Sequence, residues 1–417
     1  MSVDRDGGLP APRTPRGYLG QDKGAQIVQK PVIQGPVIQG WCPGALRPMP
    51  SGDGLVVRLR VPMGRLLPDQ AAAVAELAAR HGSGVLDLSA RANLQLRGVT
   101  EAGHAPLIDG LRDLGLIDAD VAAETRRNVM VQPFWQPGDA SARVAADLLA
   151  RLAAPDAPDL PGKFGFAVDC GARRVLQEAA CDIRIERQGD SLLLRPDGSA
   201  LAQPVTVENA AKAALDLARW FLASGGVQAG RGRMAALLAR AEAPALPPGF
   251  SIASVPAPFT ARPGPAPGGL LLGFAFGQLD ADLLMALARL GPLRLTPWRM
   301  LLIEGLAEAP PLPGLITDPA DPLLNIIACT GAPGCLQAQQ PTRDLARALA
   351  PRLADLHAGL THVSGCLKGC AHPGAAALTL TATPTGFALI HHGTAASPAL
   401  SHHTAAEILA RPERLIP

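Results

Sequence analysis

Two segments of this 417-residue chain begin with the same order of elements, and this repeat constrains the fold more than any other feature. Residues 54–57 (Gly-Leu-Val-Val) and 269–272 (Gly-Leu-Leu-Leu) each indicate a short strand, and helices are predicted next, near residues 69–79 and 280–290. A further strand follows each helix. A strand-helix-strand unit that occurs twice can pair across a pseudo-twofold axis. We therefore expect two small sheets joined into one platform, with a binding crevice between them.

Shifts in composition divide the chain further. Residues 1–40 are polar and Gly-rich and contain a tandem Pro-Val-Ile-Gln-Gly, which predicts a flexible tail. Residues 241–268 are rich in proline, and we interpret them as a linker between the two halves. The remaining segments are the expected half-domains and domains: 41–118, 119–240, 269–322 and 323–417.

Four cysteines near the C-terminus form two close pairs, Cys329 with Cys335 and Cys366 with Cys370. A 4Fe-4S cluster needs four thiolates from loops that converge, and the glycines and prolines around both pairs allow tight turns. A structural zinc site is an alternative, although zinc ligand pairs usually lie closer together than the first pair. Disulfides are another. The opening residues lack a long apolar stretch, so we expect a cytoplasmic protein, in which disulfides are rare. We favour the cluster.

Charge and composition argue against several classes of function. The net charge of +2 and the aromatic content of 3% give no support for a nucleic-acid partner. The apolar stretches are too short to cross a membrane, which needs about 20 residues. No dinucleotide-binding or Walker motif is present, so electrons are expected to come from NAD(P)H through a separate reductase.

Four motifs stand in the order typical of the sulfite and nitrite reductase family, which the chain resembles over residues 41–385. They are the segment 89–98 (Ser-Ala-Arg-Ala-Asn-Leu-Gln-Leu-Arg-Gly), Arg-Asn-Val at 127–129, Leu-Pro-Gly-Lys-Phe at 160–164 and the paired cysteines. The resemblance implies an α+β fold. In it, duplicated ferredoxin-like half-domains form one platform, and two α/β domains of the reductase type enclose a tetrapyrrole beside the cluster.

The resemblance also implies roles for individual residues. The cluster ligands would be Cys329, Cys335, Cys366 and Cys370. Arg91, Arg127 and Lys163 correspond to basic residues that hold the anionic substrate of the reductases, and we expect them to be catalytic and substrate-binding. A second lysine expected two positions after Lys163 is Gly165 here, which weakens the case for reduction of a small anion.

Spacing adds Arg97 as a substrate-binding candidate. Arg91 and Arg97 are separated by an even number of positions, so in a continuously extended strand both side chains would lie on one face. Two arginines on one face suit two carboxylates of a single large ligand. The alternative is that both are solvated strand arginines.

A branch of this family acts on a tetrapyrrole as substrate rather than as cofactor. The resemblance to it implies an O2-dependent monooxygenase that hydroxylates precorrin-3A at C20, with formation of a γ-lactone, in cobalamin biosynthesis. A mononuclear non-haem iron is expected to activate O2, because triplet O2 reacts poorly with closed-shell organic molecules. The first alternative is a sirohaem-dependent sulfite or nitrite reductase. A second is a non-catalytic electron carrier or iron-sulfur scaffold.

Overall fold

The computed structural model describes residues 43–356 and 359–416, in which the predicted repeat is present twice. The expected flexible tail, 1–40, lies outside the described residues. The first half-domain carries an antiparallel sheet covered by the helices Pro68–His81 and Glu101–Asp113. In spatial order its strands are Met49–Ser51, Gly54–Leu59, Leu94–Val99, Val85–Leu88 and Gln278–Asp280.

The second half-domain repeats this arrangement with the shorter helix Ala281–Ala288. Its strands in spatial order are Gly264–Ala266, Gly269–Phe274, Met300–Glu304, Leu293–Leu295 and Arg65–Leu66, and Leu315–Ile316 also pairs with the second of these. Both predicted helices of the repeat are confirmed. They pack on each other and bury Val74, Ala78, Leu284 and Leu287 in one shared core.

Each half-domain donates one short strand to the sheet of the other. Leu66 of the first half lies opposite Leu293 of the second, and Leu279 of the second lies opposite Leu86 of the first. The turns that precede these strands are 3-10 turns, Pro62–Gly64 and Ala275–Gly277, and each contains a residue with positive φ. The exchange joins the two sheets into the single platform that the repeat predicts.

A central α/β domain follows the first half-domain. In spatial order its sheet contains Ile252–Ala253, Leu201–Val205, Ser191–Pro196, Ile183–Gln188, Phe166–Asp169 and Val129–Val131, of which the last three are parallel. Its helices are Val121–Arg126, Ala140–Ala153, Ala210–Ala223 and Met234–Leu238. The two long helices each bury an apolar face against the sheet, because apolar residues recur at helical spacing along both.

The C-terminal α/β domain carries the cysteines. Its sheet contains, in spatial order, Ile326–Ala328, Thr361–Ser364, Ala376–Thr383, Gly386–Gly393 and Ser401–His403, and the first three are parallel. Its helices are Arg343–Leu353 and Ala405–Ala410, with short 3-10 turns at Pro322–Asn325 and Pro412–Leu415.

The Pro-rich stretch 241–268 connects the two halves and also contributes two short edge strands. Ile252–Ala253 forms an edge strand of the central sheet, and Gly264–Ala266 forms an edge strand of the platform. Proline is tolerated at sheet edges because an edge residue need not donate to the ladder. Within residues 43–356 and 359–416, no helix is both long and apolar enough to span a membrane.

Asp169, at the end of the strand Phe166–Asp169, makes the stability of the central domain depend on pH. Burial raises the pKa of this carboxyl to about 6, although it accepts hydrogen bonds from the backbone nitrogens of Val175 and Leu176. The unfolded chain loses this proton near pH 4, so the folded state is penalised increasingly as the pH rises from about 4 to about 6. Two pKa units correspond to about 3 kcal/mol.

Asp169→Asn should remove this penalty. We expect its unfolding free energy, relative to that of the wild type, to increase by about 3 kcal/mol between pH 4 and pH 7. Urea denaturation at a series of pH values measures this difference. A difference that stays constant across the series would contradict the assignment.

Candidate functional site

The cysteines converge where two neighbouring parallel strands of the C-terminal sheet end. Cys329 directly follows Ile326–Ala328, and Cys366 lies two residues beyond Thr361–Ser364. The carboxyl ends of adjacent parallel strands meet at one edge of a sheet, so the two cysteine loops face each other. The backbone nitrogen of Gly365 donates to Cys329 Sγ at 3.1 Å. A Cβ atom at position 365 would lie 3.2 Å from this sulfur and 2.8 Å from Ala338 Cβ, so the close approach requires glycine.

Electrostatic interactions connect all four thiols. Burial raises the pKa of Cys366, and the charges of Cys335 and Cys329 raise it further. Desolvation raises the pKa of Cys370, as do Cys366, Cys329 and Cys335, whereas Lys368 lowers it. Four cysteines that repel one another as thiolates are suited to a bound cation, which would remove the repulsion.

Cys170 and Cys181 have a different environment. Both lie in the interior of the protein, where burial raises the pKa of each thiol to about 12. Both are small buried residues, which is a common environment for a free cysteine. Cys42 lies outside the described residues.

No group of three or more His, Cys, Asp or Glu side chains in residues 43–356 and 359–416 is arranged to hold a single metal ion. Tetrahedral thiolates on one zinc ion lie about 3.8 Å apart, because each Zn–S bond is about 2.3 Å. A 4Fe-4S cube instead takes one thiolate at each of four separate irons. The four cysteines lie on two loops at one edge of the sheet, and the cluster stays a prediction from the sequence.

The platform holds both cysteine loops through backbone carbonyls. Gly334 O, next to Cys335, accepts hydrogen bonds from Ser51 Oγ at 2.5 Å and from Arg97 Nη2 at 2.9 Å. Ala371 O, next to Cys370, accepts from Arg299 Nη2 at 2.7 Å. Ser51 and Arg97 belong to the first half-domain and Arg299 to the second, so each half holds one cysteine loop.

The Arg97 guanidinium binds several acceptors of the protein itself. Its guanidinium is 5% exposed and donates to both carboxylate oxygens of Asp53, to Asp87 Oδ2 at 3.3 Å and to Ser51 Oγ, besides Gly334 O. The prediction that Arg97 lies on one strand face with Arg91 is wrong. The strand begins only at Leu94, and Ala92 between the two arginines has φ 52°, so the backbone is not extended.

Arg91 and Lys163 are brought together. Arg91 lies in the turn before the strand, and its Nη1 donates to the backbone carbonyl of Lys163 at 3.1 Å. The side chain of Lys163 is exposed. The Arg91 guanidinium thus contacts the backbone of the Lys163 loop at the junction of the platform and the central domain.

Arg127 is held by the carboxylate of Asp118. Its Nε and Nη2 atoms donate to the two oxygens of Asp118 at 2.6 and 2.7 Å, and its side chain is 15% exposed. Neighbouring Asn128 links it to the Lys163 loop, because Asn128 Nδ2 donates to Phe164 O at 2.8 Å. Arg127 therefore lies near the Lys163 loop, because its sequence neighbour Asn128 is bonded to that loop. Its guanidinium forms a bidentate ion pair with Asp118.

Gly165, where a second lysine was expected, packs against Asn128. A Cβ atom at position 165 would lie 2.7 Å from Asn128 Nδ2, which is too close for any side chain without displacement. Gly165→Ala should therefore destabilise the protein by about 1–3 kcal/mol. Asn128→Ala in the same chain should relieve the side-chain part of the clash, while the Asn128 backbone oxygen stays 3.1 Å from the added Cβ. Urea denaturation of the single and double variants measures this coupling.

Gly374→Ala is a suitable control, because its Cβ would meet His372 Nε2 at an ordinary 3.4 Å. If Gly165→Ala is as stable as the wild type, the contact between position 165 and Asn128 does not require glycine.

Three further residues at the cysteine loops were not predicted from the sequence. Arg343 Nη2 pairs with Asp87 at 2.9 Å, while its Nε and Nη1 are buried without a hydrogen-bond partner. Burial and the neighbouring charge of Arg343 lower the pKa of Arg299. His362 is fully buried with neither ring nitrogen partnered, and burial lowers its pKa to about 4. Arg299 in the second repeat occupies the position of Ala92 in the first. An alignment of the two repeats would therefore have identified Arg299 as a candidate.

The chain is similar to known proteins in sequence and in fold. Residues 47–114 match the family model of the nitrite/sulfite reductase ferredoxin-like half domain. Over 396 residues, which cover 86% of this chain and 83% of the relative, the chain is 32% identical to a precorrin-3B synthase of a Sinorhizobium species. The solved structure of the Mycobacterium tuberculosis NirA protein superposes with a TM-score of 0.63 at 17% identity, covering 86% of this chain and 80% of that chain. These matches confirm the expected α+β fold of duplicated half-domains with two α/β domains.

Proposed function

This chain belongs to the precorrin-3B synthase family, and from that premise we propose that it is an O2-dependent monooxygenase of cobalamin biosynthesis. The substrate is precorrin-3A, which is hydroxylated at C20 while the ring A acetate closes a γ-lactone. One oxygen atom of O2 enters the product, and the other leaves as water after uptake of two electrons and two protons. The identity to a precorrin-3B synthase over most of both chains is the observation that carries this proposal.

Cys329, Cys335, Cys366 and Cys370 are the residues that would hold a 4Fe-4S cluster. The converging strand ends, the hydrogen bond from Gly365 N to Cys329 Sγ and the mutual repulsion of the thiols support this assignment. A bound cluster would supply single-electron transfer, and hydrogen bonds to its sulfurs influence its reduction potential. A reducing compartment such as the cytoplasm keeps these thiols available.

Arg91 and Lys163 are proposed as the first contacts of the substrate carboxylates. Arginine binds a carboxylate through two parallel hydrogen bonds, and lysine acts as a mobile point charge, so the pair can orient a polyanionic macrocycle. Arg127 is a further proposed contact, whose guanidinium Asp118 orients. These residues bind and orient the substrate, and in this sense they are catalytic.

Electrons are proposed to come from NAD(P)H through a separate reductase. A mononuclear non-haem iron for O2 activation belongs to the same proposal. No three-residue ligand group for such an ion is present in the described parts of the chain, and we assign no ligands to it.

The absorption spectrum of the purified protein tests whether the tetrapyrrole is substrate or cofactor. We expect the broad absorption of an iron-sulfur cluster without sirohaem bands, and anaerobic addition of precorrin-3A should give a saturable complex. Stoichiometric sirohaem in the purified protein would instead indicate a sulfite or nitrite reductase, and would overturn the proposal.

A further inference from the structure

The two half-domains carry the same ion pair with its charges exchanged. In the first half, Asp87 of Val85–Leu88 pairs with Arg97 of Leu94–Val99. In the second half, Arg294 of Leu293–Leu295 pairs with Glu304 of Met300–Glu304 at 2.5 Å. Gly98 and Gly305, both with positive φ, follow Arg97 and Glu304, which fixes the correspondence of the two positions.

The exchanged strands complete both pairs in the same way. Gln278 lies opposite Asp87 in the first sheet and donates to its Oδ1 at 3.4 Å. Arg65 lies opposite Arg294 in the second sheet and binds both oxygens of Glu304, at 2.6 and 2.7 Å. The pseudo-twofold axis thus relates two polar networks of opposite charge pattern.

Each network holds a loop of a different α/β domain. Arg97 donates to Gly334 O of the cysteine loop in the C-terminal domain, and Ser51 Oγ shares that acceptor. Arg294 Nη1 donates to Trp135 O at 2.6 Å and to Pro133 O at 3.3 Å in the central domain. Its guanidinium also lies 4.0 Å from the centroid of the Trp135 ring.

Both arginines are buried, with exposures of 5% for Arg97 and 4% for Arg294. Their bonds to the loops are charge-assisted and shielded from water, and such bonds are stronger than those between neutral groups. A loop that loses such a bond opens more often, since local opening is governed by the contacts that the opened segment gives up.

We infer that Arg97 is a positioning residue that fixes the Cys329–Cys335 loop on the platform, and that Arg294 fixes the Pro133–Trp135 segment in the corresponding way. This inference rests on the proposed cluster for its function, because Cys335 is a proposed ligand. Its geometry does not depend on the cluster. The platform thereby holds the cysteine loop through one network and the central domain through the other.

Hydrogen exchange of the full-length apoprotein tests this inference without a cluster. The amides to follow are Ala332, Ala338 and Gln339 in the cysteine loop, and Gln132 and Trp135 in the central domain, all of which donate backbone hydrogen bonds. Arg97→Gln should speed exchange of the first set about tenfold or more and leave the second set unchanged. Arg294→Gln should do the reverse.

The two variants are matched controls, since each residue is equally buried in an equivalent ion pair. Arg97→Lys, which keeps one cationic donor, should recover part of the protection. Equal exchange of the cysteine loop in both glutamine variants would overturn the inference, as would an unprotected loop in the wild type. If Arg97→Gln does not fold, Ser51→Ala removes the other donor to Gly334 O and should speed exchange of the same loop severalfold.

Iron content after reconstitution separates this inference from the proposed function. Arg97→Gln should retain less iron than Arg294→Gln when both are folded. A wild-type chain that takes up no iron would contradict the cluster, while the exchange experiment would still decide the role of Arg97.

Discussion

Replacing Cys370 with alanine is expected to remove the cluster iron and the broad visible absorption together. A cube needs one thiolate at each iron, so three cysteines leave one corner open to solvent and oxidation. The iron content should fall from about four atoms per chain toward none. Cys370 is the exposed member of the quartet and lies beside Ala371, whose carbonyl Arg299 holds, so its removal should leave the fold intact.

Cys181→Ala is the matched control for this experiment. Cys181 is a buried cysteine that packs in the core of the platform and belongs to neither cysteine loop, so its alanine variant should retain full iron content. Iron analysis and the absorption spectrum of both purified variants give the comparison. A complete cluster in Cys370→Ala would remove this residue from the ligand set.

Arg91→Ala is expected to weaken binding of precorrin-3A by about tenfold to a hundredfold. A hydrogen bond to a charged group contributes about 1.5–3 kcal/mol, and each 1.4 kcal/mol corresponds to a factor of about ten. Lys163→Ala should have an effect in the same direction but smaller, because the lysine is exposed and its interaction is screened by solvent. Anaerobic titration followed by absorption measures both affinities.

Arg126→Ala provides the control for Arg91. Arg126 is also basic and near this junction, but it donates to Leu152 O and pairs with Asp159, so it should not affect affinity. Arg91→Lys should restore part of the binding by keeping the charge. Equal affinities of Arg91→Ala and the wild type would show that the macrocycle binds elsewhere.

The duplicated platform could be predicted because its signal is local and occurs twice. Ser89 and Thr296 illustrate why: each hydroxyl accepts hydrogen bonds from the backbone nitrogens two and four residues later. A hydroxyl residue at the end of a short strand, followed by a turn and another strand, therefore specifies the same turn in both halves. The helices of the repeat have clear apolar faces and were predicted for the same reason.

The strand exchange could not be predicted, because Arg65–Leu66 and Gln278–Asp280 are too short to show any period. The two edge strands in the Pro-rich stretch are equally short. Such strands form because a neighbouring strand already offers its unpaired backbone groups. The partners of the two exchanged strands also lie far away in sequence, in the other half-domain.

The site was predicted in part. The convergence of the cysteine pairs follows from their spacing and from the loops around them. The role of Arg97 did not follow, because its partners Asp53 and Gly334 are 44 and 237 positions away. The prediction that Arg91 and Arg97 lie on one strand face failed because Ala92 has a positive φ. A positive φ is rare for alanine, and nothing in the local sequence indicates it.

The central claim, that precorrin-3A is the substrate of an oxygenation, is tested most directly by one reaction. The reconstituted protein is incubated anaerobically with precorrin-3A and a reductant, isotopically labelled O2 is then admitted, and the product is analysed by mass spectrometry. We expect a product with one additional oxygen atom that carries the label. Unchanged precorrin-3A, or a product whose added oxygen is unlabelled, would contradict the claim.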